Sequence, residues 1–184
     1  MIIGVTGATG AGKDTLARYL MESKGFFHIS LSDIIREEAA ARGVELTRRN
    51  LQDLGNQMRR KYGTGVFSQK ALARIKRERS YVITSIRNPG EAEVLRQSAG
   101  FVLWAVDAPQ EKRFLRISKR LRRKENEPIT FANFKKSEAR ELAPADKSKQ
   151  QLIQCVKTAD FIIVNDADLP SFYEKIEKLL TRAK

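Results

Sequence analysis

The run Met1-Ile2-Ile3-Gly4-Val5-Thr6 passes directly into Gly7-Ala8-Thr9-Gly10-Ala11-Gly12-Lys13-Asp14-Thr15, and a helical pattern continues through Leu20. Few folds accommodate that junction. Glycines let the backbone take positive φ and approach an anion closely, while successive N–H groups converge on phosphate oxygens. Lys13 adds a mobile positive charge, and a helix starting near Gly12 aims its partly positive N-terminus at the same point. The spacing G-x-x-x-x-G-K is satisfied, with Asp14 after the lysine and the hydroxyl one place later, at Thr15. Residues 7 to 15 therefore read as a phosphate cradle between a strand and a helix.

Strand-like runs recur at about residues 1, 26, 80, 101 and 160, each followed by helical patterns. Tyr81 to Ile86 and Phe101 to Val106 are compact and rich in β-branched or aromatic residues, as expected of buried parallel strands. That order predicts an α/β chain: a five-stranded parallel sheet with helices on both faces and right-handed crossovers. Ser32 and Asp33 suit the cap of the helix from Ile34 to Arg42. Further helices are expected at Arg48 to Tyr62, Val66 to Arg79, Glu91 to Gln97, Pro109 to Lys124 with Asp107 as its cap, Thr130 to Arg140, and Lys149 to Lys157. Phe172, Ile176, Leu179 and Leu180 mark the closing helix. His28, at a strand end, receives a structural role.

At 184 residues the chain fits one domain. Its single cysteine, Cys155, excludes an internal disulfide, and His28 as the lone histidine argues against a histidine-based zinc site. No apolar run has the length of a membrane span, and the first strand leads straight into the glycine loop, so the expectation is no membrane and a cytoplasmic location. The net charge of +13 favours polyanionic partners, whether nucleotides, a ribosome or nucleic acid.

In parallel sheets ligands gather at the C-terminal strand ends near the switch in strand order. Lys13, Asp33 and Arg87 all fall at or just beyond such ends. Arg87 and Arg36 suit a clamp on a second anion. Arg113, Arg116, Arg120 and Arg123 fall on one side of a helix with no acidic residue between 112 and 124, placed to close over a transferring phosphoryl group.

Taken together these segments resemble the P-loop nucleoside and deoxynucleoside monophosphate kinase group. Gly7 to Thr15 is similar to its phosphate loop and Ser30-Leu31-Ser32-Asp33-Ile34-Ile35-Arg36 to its acceptor segment. Val82 to Glu91, containing Ile86-Arg87-Asn88-Pro89-Gly90-Glu91, resembles the strand presenting an acceptor-phosphate arginine, and Arg116 to Arg123 resembles the lid. Ala159 to Asn165 is similar to a segment beside the donor base in dephospho-coenzyme A kinases.

The resemblance implies a P-loop kinase domain over 1–184, with a helical acceptor-binding insertion at about 34–79 and a lid at about 112–147. It implies ATP and Mg2+, with Gly7, Ala8, Thr9, Gly10, Ala11, Gly12, Lys13, Asp14, Thr15, Arg116, Arg123 and Asn165 on the donor. Ser32, Asp33, Arg36, Arg59 and Arg87 fall on the acceptor. Lys13, Asp33, Arg87 and Arg120 would be catalytic, and Thr15 would meet the metal. The activity implied is γ-phosphoryl transfer to a nucleoside or deoxynucleoside monophosphate.

Two alternatives stand beside it. One is a dephospho-coenzyme A kinase-like enzyme, in which Asp33 deprotonates a hydroxyl; the other is an ATP-binding RNA- or ribosome-associated assembly factor. The group places an acidic residue near the end of the third strand, where this chain has Thr84 and Ser85.

Overall fold

Alternating strand side chains divide the core of this protein between the two faces of one sheet, which is what parallel strands need when both faces are covered. The computed structural model describes residues 1–122, 130–142 and 150–182. Its strands are β1 (Ile2–Thr6), β2 (Phe27–Ser30), β3 (Tyr81–Thr84), β4 (Phe101–Asp107) and β5 (Phe161–Val164). All neighbours pair in parallel, in the order β2-β3-β1-β4-β5. The expected five-stranded parallel α/β sheet is therefore present.

The helices are α1 (Lys13–Lys24), α2 (Leu31–Ala41), α3 (Arg48–Tyr62), α4 (Val66–Leu72), α5 (Pro89–Arg96), α6 (Gln110–Arg122), α7 (Phe131–Leu142), α8 (Leu152–Lys157) and α9 (Leu169–Arg182). On one face Ile3, Val5, Val82, Trp104 and Ile163 pack with Leu16 and Leu20 of α1 and with Phe172 and Ile176 of α9. On the other Ile2, Tyr81, Ile83 and Leu103 pack with Leu31 and Ile34 of α2, Phe67 of α4 and Leu95 of α5. Cys155 of α8 is wholly buried, and burial pushes its thiol up to about 12.

Several elements begin or end elsewhere than the sequence suggests. Helix α2 starts at Leu31, so Ser30 holds the cap position and Ser32 and Asp33 lie in the first turn. Ser30 offers no side-chain cap bond, because its hydroxyl is 2.8 Å from that of Ser32. Helix α4 stops at Leu72, short of Arg79. Beyond it the Lys76 amide donates to the Tyr81 hydroxyl (3.0 Å), and Arg79 lies over the Phe27 ring. Strand β3 ends at Thr84 because Ser85 takes φ 65, outside the extended region.

Asp107 closes β4 instead of capping α6, and its carboxylate accepts from Ala108 N (2.8 Å). Helix α8 begins at Leu152, after Gln151 with the non-helical φ −115 and ψ 63 at its N-cap and its amide on the Arg87 carbonyl at 2.7 Å. Arg113 leaves the basic face assigned to it: it is buried and makes a forked ion pair with Glu138 of α7. Lys124, Pro144 and Lys149 lie outside the described residues.

Helix α3 is fastened to the sheet by charge. Arg59 Nε and Nη2 donate to Glu91 Oε1 at 3.0 and 2.7 Å, with side-chain exposures of 4% and 0%. Glu91 Oε2 accepts from the Arg87 and Asn88 amides at 2.8 and 3.1 Å, completing the capping box of α5. Glu91→Leu strips a buried guanidinium and two amides of their acceptor. Breaking a buried pair costs about 3–5 kcal/mol, so the urea midpoint of this variant falls accordingly.

Candidate phosphate-loop and acceptor site

The loop after β1 uses glycine where no other residue fits. Gly7, Gly10 and Gly12 have φ of 132°, 82° and 114°. A Cβ on Gly7 would overlap the Val106 carbonyl oxygen, and one on Gly12 would overlap the Asn165 side-chain amide. Gly12 caps α1 without a side-chain bond, so the first-turn amides remain directed at the loop. Lys13 Nζ reaches back to the Ala8 carbonyl at 2.8 Å. Asp14 is exposed and Thr15 half-buried, both in the first turn of the same helix.

The back of the loop is held by side chains from distant elements. Asn165, just past β5, donates from Nδ2 to the Ala11 carbonyl at 2.8 Å. Arg116 of α6 donates to the carbonyls of Gly10 (3.3 Å) and Ala11 (3.2 Å), and to the Asn165 carbonyl and Oδ1 at 3.0 and 3.1 Å. These contacts occupy loop carbonyls that would otherwise repel an anion. The expected donor-side residues Arg116 and Asn165 thus meet the loop itself, whereas Arg123 and the side chain of Arg120 lie outside the described residues.

A cavity of about 580 Å³ opens beside the loop, between Thr9, α2, α3 and the segment after β3. Ser32, Arg36, Arg59 and Arg87, each expected on the acceptor side, all line it. Arg36 Nη1 donates to Ser32 Oγ (3.1 Å) and to Asp33 Oδ1 (2.6 Å). Asp33 is the exception: it is exposed, paired with Arg36, and absent from the cavity lining. Arg87 Nη1 donates to Gln150 Oε1 at 3.1 Å.

Three residues escaped sequence reasoning as parts of this site. Ser85, half-buried with φ 65, brings its hydroxyl to 3.3 Å from Ser32 and 3.4 Å from Ser30. Only its position after β3 hinted at it. Gln150 carried no signal, being far away in sequence. Glu91 had one, the Asn88-x-x-Glu91 capping-box spacing, although nothing local announced its pair with Arg59.

A family model described as an AAA domain, AAA_18, matches residues 3–143. The chain belongs to the AAA_18 family. Among its relatives, a UPF0200 protein of Methanothermobacter thermautotrophicus is 32% identical over 188 residues, covering 99% of this chain and 90% of that one. Among solved structures, TT1252 from Thermus thermophilus superposes with a TM-score of 0.62 at 19% identity, covering 100% and 98% of the two chains. A shikimate kinase from Bacteroides thetaiotaomicron gives 0.59 at 13% identity, covering 99% and 97%. This AAA_18 chain thus has the α/β P-loop NTPase fold in a kinase-like form. No helix among the described residues is long and apolar enough to cross a membrane.

The cradle suits a nucleotide's phosphates, because Gly7 and Gly12 hold positive-φ conformations in which a Cβ would overlap Val106 or Asn165, and the loop they form opens onto the amides of the first turn of α1. For a divalent cation the donors nearby are the Thr15 hydroxyl and Asp14 carboxylate, and no group of three or more His, Cys, Asp or Glu forms a site among the described residues. That sparse set suits magnesium, which keeps waters and phosphate oxygens as ligands. Gly12→Ala forces a side chain into φ 114 and against Asn165, a strain of order 1–3 kcal/mol. Chemical denaturation should show that loss, with Gly25→Ala at the other end of α1, whose Cβ meets nothing within 4 Å, losing less.

Proposed function

We propose that the protein transfers the γ-phosphoryl group of ATP to a nucleoside or deoxynucleoside monophosphate. The observation that carries this reading is the cavity beside the phosphate loop, lined by Arg36, Arg48, Arg59 and Arg87, of which Arg36 is paired with Asp33 and Arg59 with Glu91, while no carboxylate among the described residues lines it. Simple hydrolysis needs no second anion site. Phosphoryl transfer between two nucleotides does, and it needs positioning and charge neutralisation more than covalent help from the protein.

In this reading the loop amides and Lys13 hold the triphosphate, and Arg87 with Arg36 holds the acceptor phosphate. An acceptor phosphate oxygen forms a bond to the γ-phosphorus as the bond to the β–γ bridging oxygen breaks, and ADP leaves. Magnesium bound with the nucleotide supplies further neutralisation of phosphate charge. Arg116 already sits against the loop, and the remaining lid arginines, Arg120 and Arg123, are assigned to the same role. The acceptor is itself an oxyanion, so no strong base is required, which agrees with Asp33 being exposed and ion-paired with Arg36.

A hydroxyl acceptor is the second reading, favoured by the likeness to a shikimate kinase. There Asp33 would leave Arg36 and take the hydroxyl proton. The dephospho-coenzyme A kinase-like alternative falls in this class.

ATP and magnesium incubated with a panel of ribo- and deoxyribonucleoside monophosphates, shikimate, gluconate and dephospho-coenzyme A should give ADP and a nucleoside diphosphate. Transfer only to a hydroxyl acceptor would select the second reading. No transfer at all, together with salt-sensitive RNA binding, would select an assembly factor instead.

Lys13→Ala should weaken ATP binding and abolish transfer, and near-normal turnover would refute the cradle's role. Arg87→Ala should spare ATP binding and raise the acceptor KM about 10- to 100-fold, the loss of charge-assisted hydrogen bonds. Asp33→Asn should leave transfer to a monophosphate within a few-fold of wild type, whereas a collapse in kcat would point to the hydroxyl acceptor.

A further inference from the structure

The insertion holds a second cavity, of about 540 Å³, that shares no lining residue with the acceptor cavity. Met58 and Val66 are buried and give it an apolar floor, while Tyr62, the last residue of α3, is 50% exposed. Arg42 and Lys70 bring charge from the end of α2 and from α4. The carboxylate in the lining, Glu38, is shared between those two cations, at 3.2 Å from Arg42 and 2.6 Å from Lys70. Lys61 Nζ lies 5.1 Å from the centre of the Tyr62 ring. Its hydrogen bond and charge, with the charge of Arg42, hold the phenol below the usual tyrosine range. An exposed ring beside an apolar floor and several cations offers a base a face to stack on and its phosphate a counter-charge.

The same chemistry continues along the chain. From Lys61 to Arg79 the sequence carries Lys61, Lys70, Arg74, Lys76, Arg77 and Arg79, against Glu78 as its only acid. Lys70 and Arg74 lie four residues apart on one side of α4 and the turn that ends it, and Lys76, Arg77 and Arg79 follow, all exposed, before β3. The run finishes at a second exposed ring. Phe27 is 45% exposed, with the Arg79 guanidinium 4.3 Å from its centre. Phe27 stands opposite Tyr81, whose side chain packs with α2 and α4, so this ring is on the side of the sheet that carries the Tyr62 cavity. A solvated face would explain the cations alone. It does not put an aromatic ring under a cation at each end of the run. Because a duplex keeps its base faces stacked inside, exposed rings suit a single strand.

We infer that the surface from Tyr62 to Phe27 binds single-stranded nucleic acid, with one base stacked on Tyr62 above Met58 and Val66, another on the Arg79–Phe27 pair, and the phosphates between them on Lys70, Arg74, Lys76 and Arg77. The inference goes beyond phosphoryl transfer and is independent of it, since none of these residues lines the acceptor cavity.

Fluorescence anisotropy of a labelled oligouridylate of about twelve nucleotides tests it, with an RNA duplex of the same length as a second ligand and UMP as competitor. The single strand should bind more tightly than the duplex, lose affinity as salt rises, and be displaced poorly by UMP. Tyr62→Ala and Phe27→Ala should each weaken binding roughly 5- to 150-fold, the loss of one stacked base, with the salt slope unchanged. Tyr62→Phe, which keeps the ring, should bind nearly as wild type and so separates lost stacking from lost folding. Lys76→Glu combined with Arg77→Glu should weaken binding and flatten the salt slope. Wild-type affinity in both ring-to-alanine variants, or a duplex held as tightly as the single strand, overturns the proposal by reducing the strip to a solvated basic face. Displacement by UMP at the affinity of the oligomer overturns it by confining binding to one nucleotide. None of these readouts uses ATP, so the kinase reading and this one fail separately.

Discussion

One carboxylate ties the helical insertion to the sheet. Glu91 sits at the start of α5 with no exposure, yet serves the Arg59 guanidinium and two backbone amides at once. Its charge is affordable in the interior because each oxygen has partners, whereas removing any member would strand a desolvated group. The two amides belong to Arg87 and Asn88, so the same side chain fixes where Arg87 leaves the sheet and where α3 docks. Two walls of the cavity are therefore set by one anchor, and the spacing between Arg59 and Arg87 follows from it.

The opposite wall is organised by the reverse principle. At the glycine loop, Asn165 and Arg116 are donors that reach loop carbonyls from behind. A loop of converging amides is a good anion receptor only while its carbonyls are turned elsewhere, and these side chains give them somewhere to turn. Residues more than a hundred positions from the loop thereby determine its polarity. The strand order explains how this is feasible: β1 lies between β3 and β4, so the loop has the Arg87 segment on one side and the α6 and β5 ends on the other.

Much of this was legible in the residues. The strands announced themselves as short apolar runs, and the cradle by its glycines and lysine, because both signals are local. Helix α3 begins and ends where its sequence suggests, since Thr47 accepts from Asn50 N at 3.2 Å and Gly63 breaks the far end. Errors arose where a distant partner outweighed a local preference. The cap expected at Ser32 and Asp33 falls instead on Ser30, whose hydroxyl lies 3.4 Å from that of Ser85, and Gln151, the N-cap of α8, has its amide on the Arg87 carbonyl. Arg113 looked like one more lid arginine until Glu138 claimed it from α7. Gln150 and Glu91 entered the site for the same reason: long-range pairing leaves no mark on periodicity.

The wholly buried Cys155 has a practical consequence. A thiol whose ionisation is pushed up to about 12 by burial supplies almost no thiolate at neutral pH, so alkylating reagents reach it only when α8 lifts from the sheet. The protein behaves toward such reagents as if it had no cysteine. A fluorophore or spin label attached through a cysteine introduced at the exposed Leu46 would then sit alone at the cavity rim and report on that rim without interference from a second thiol.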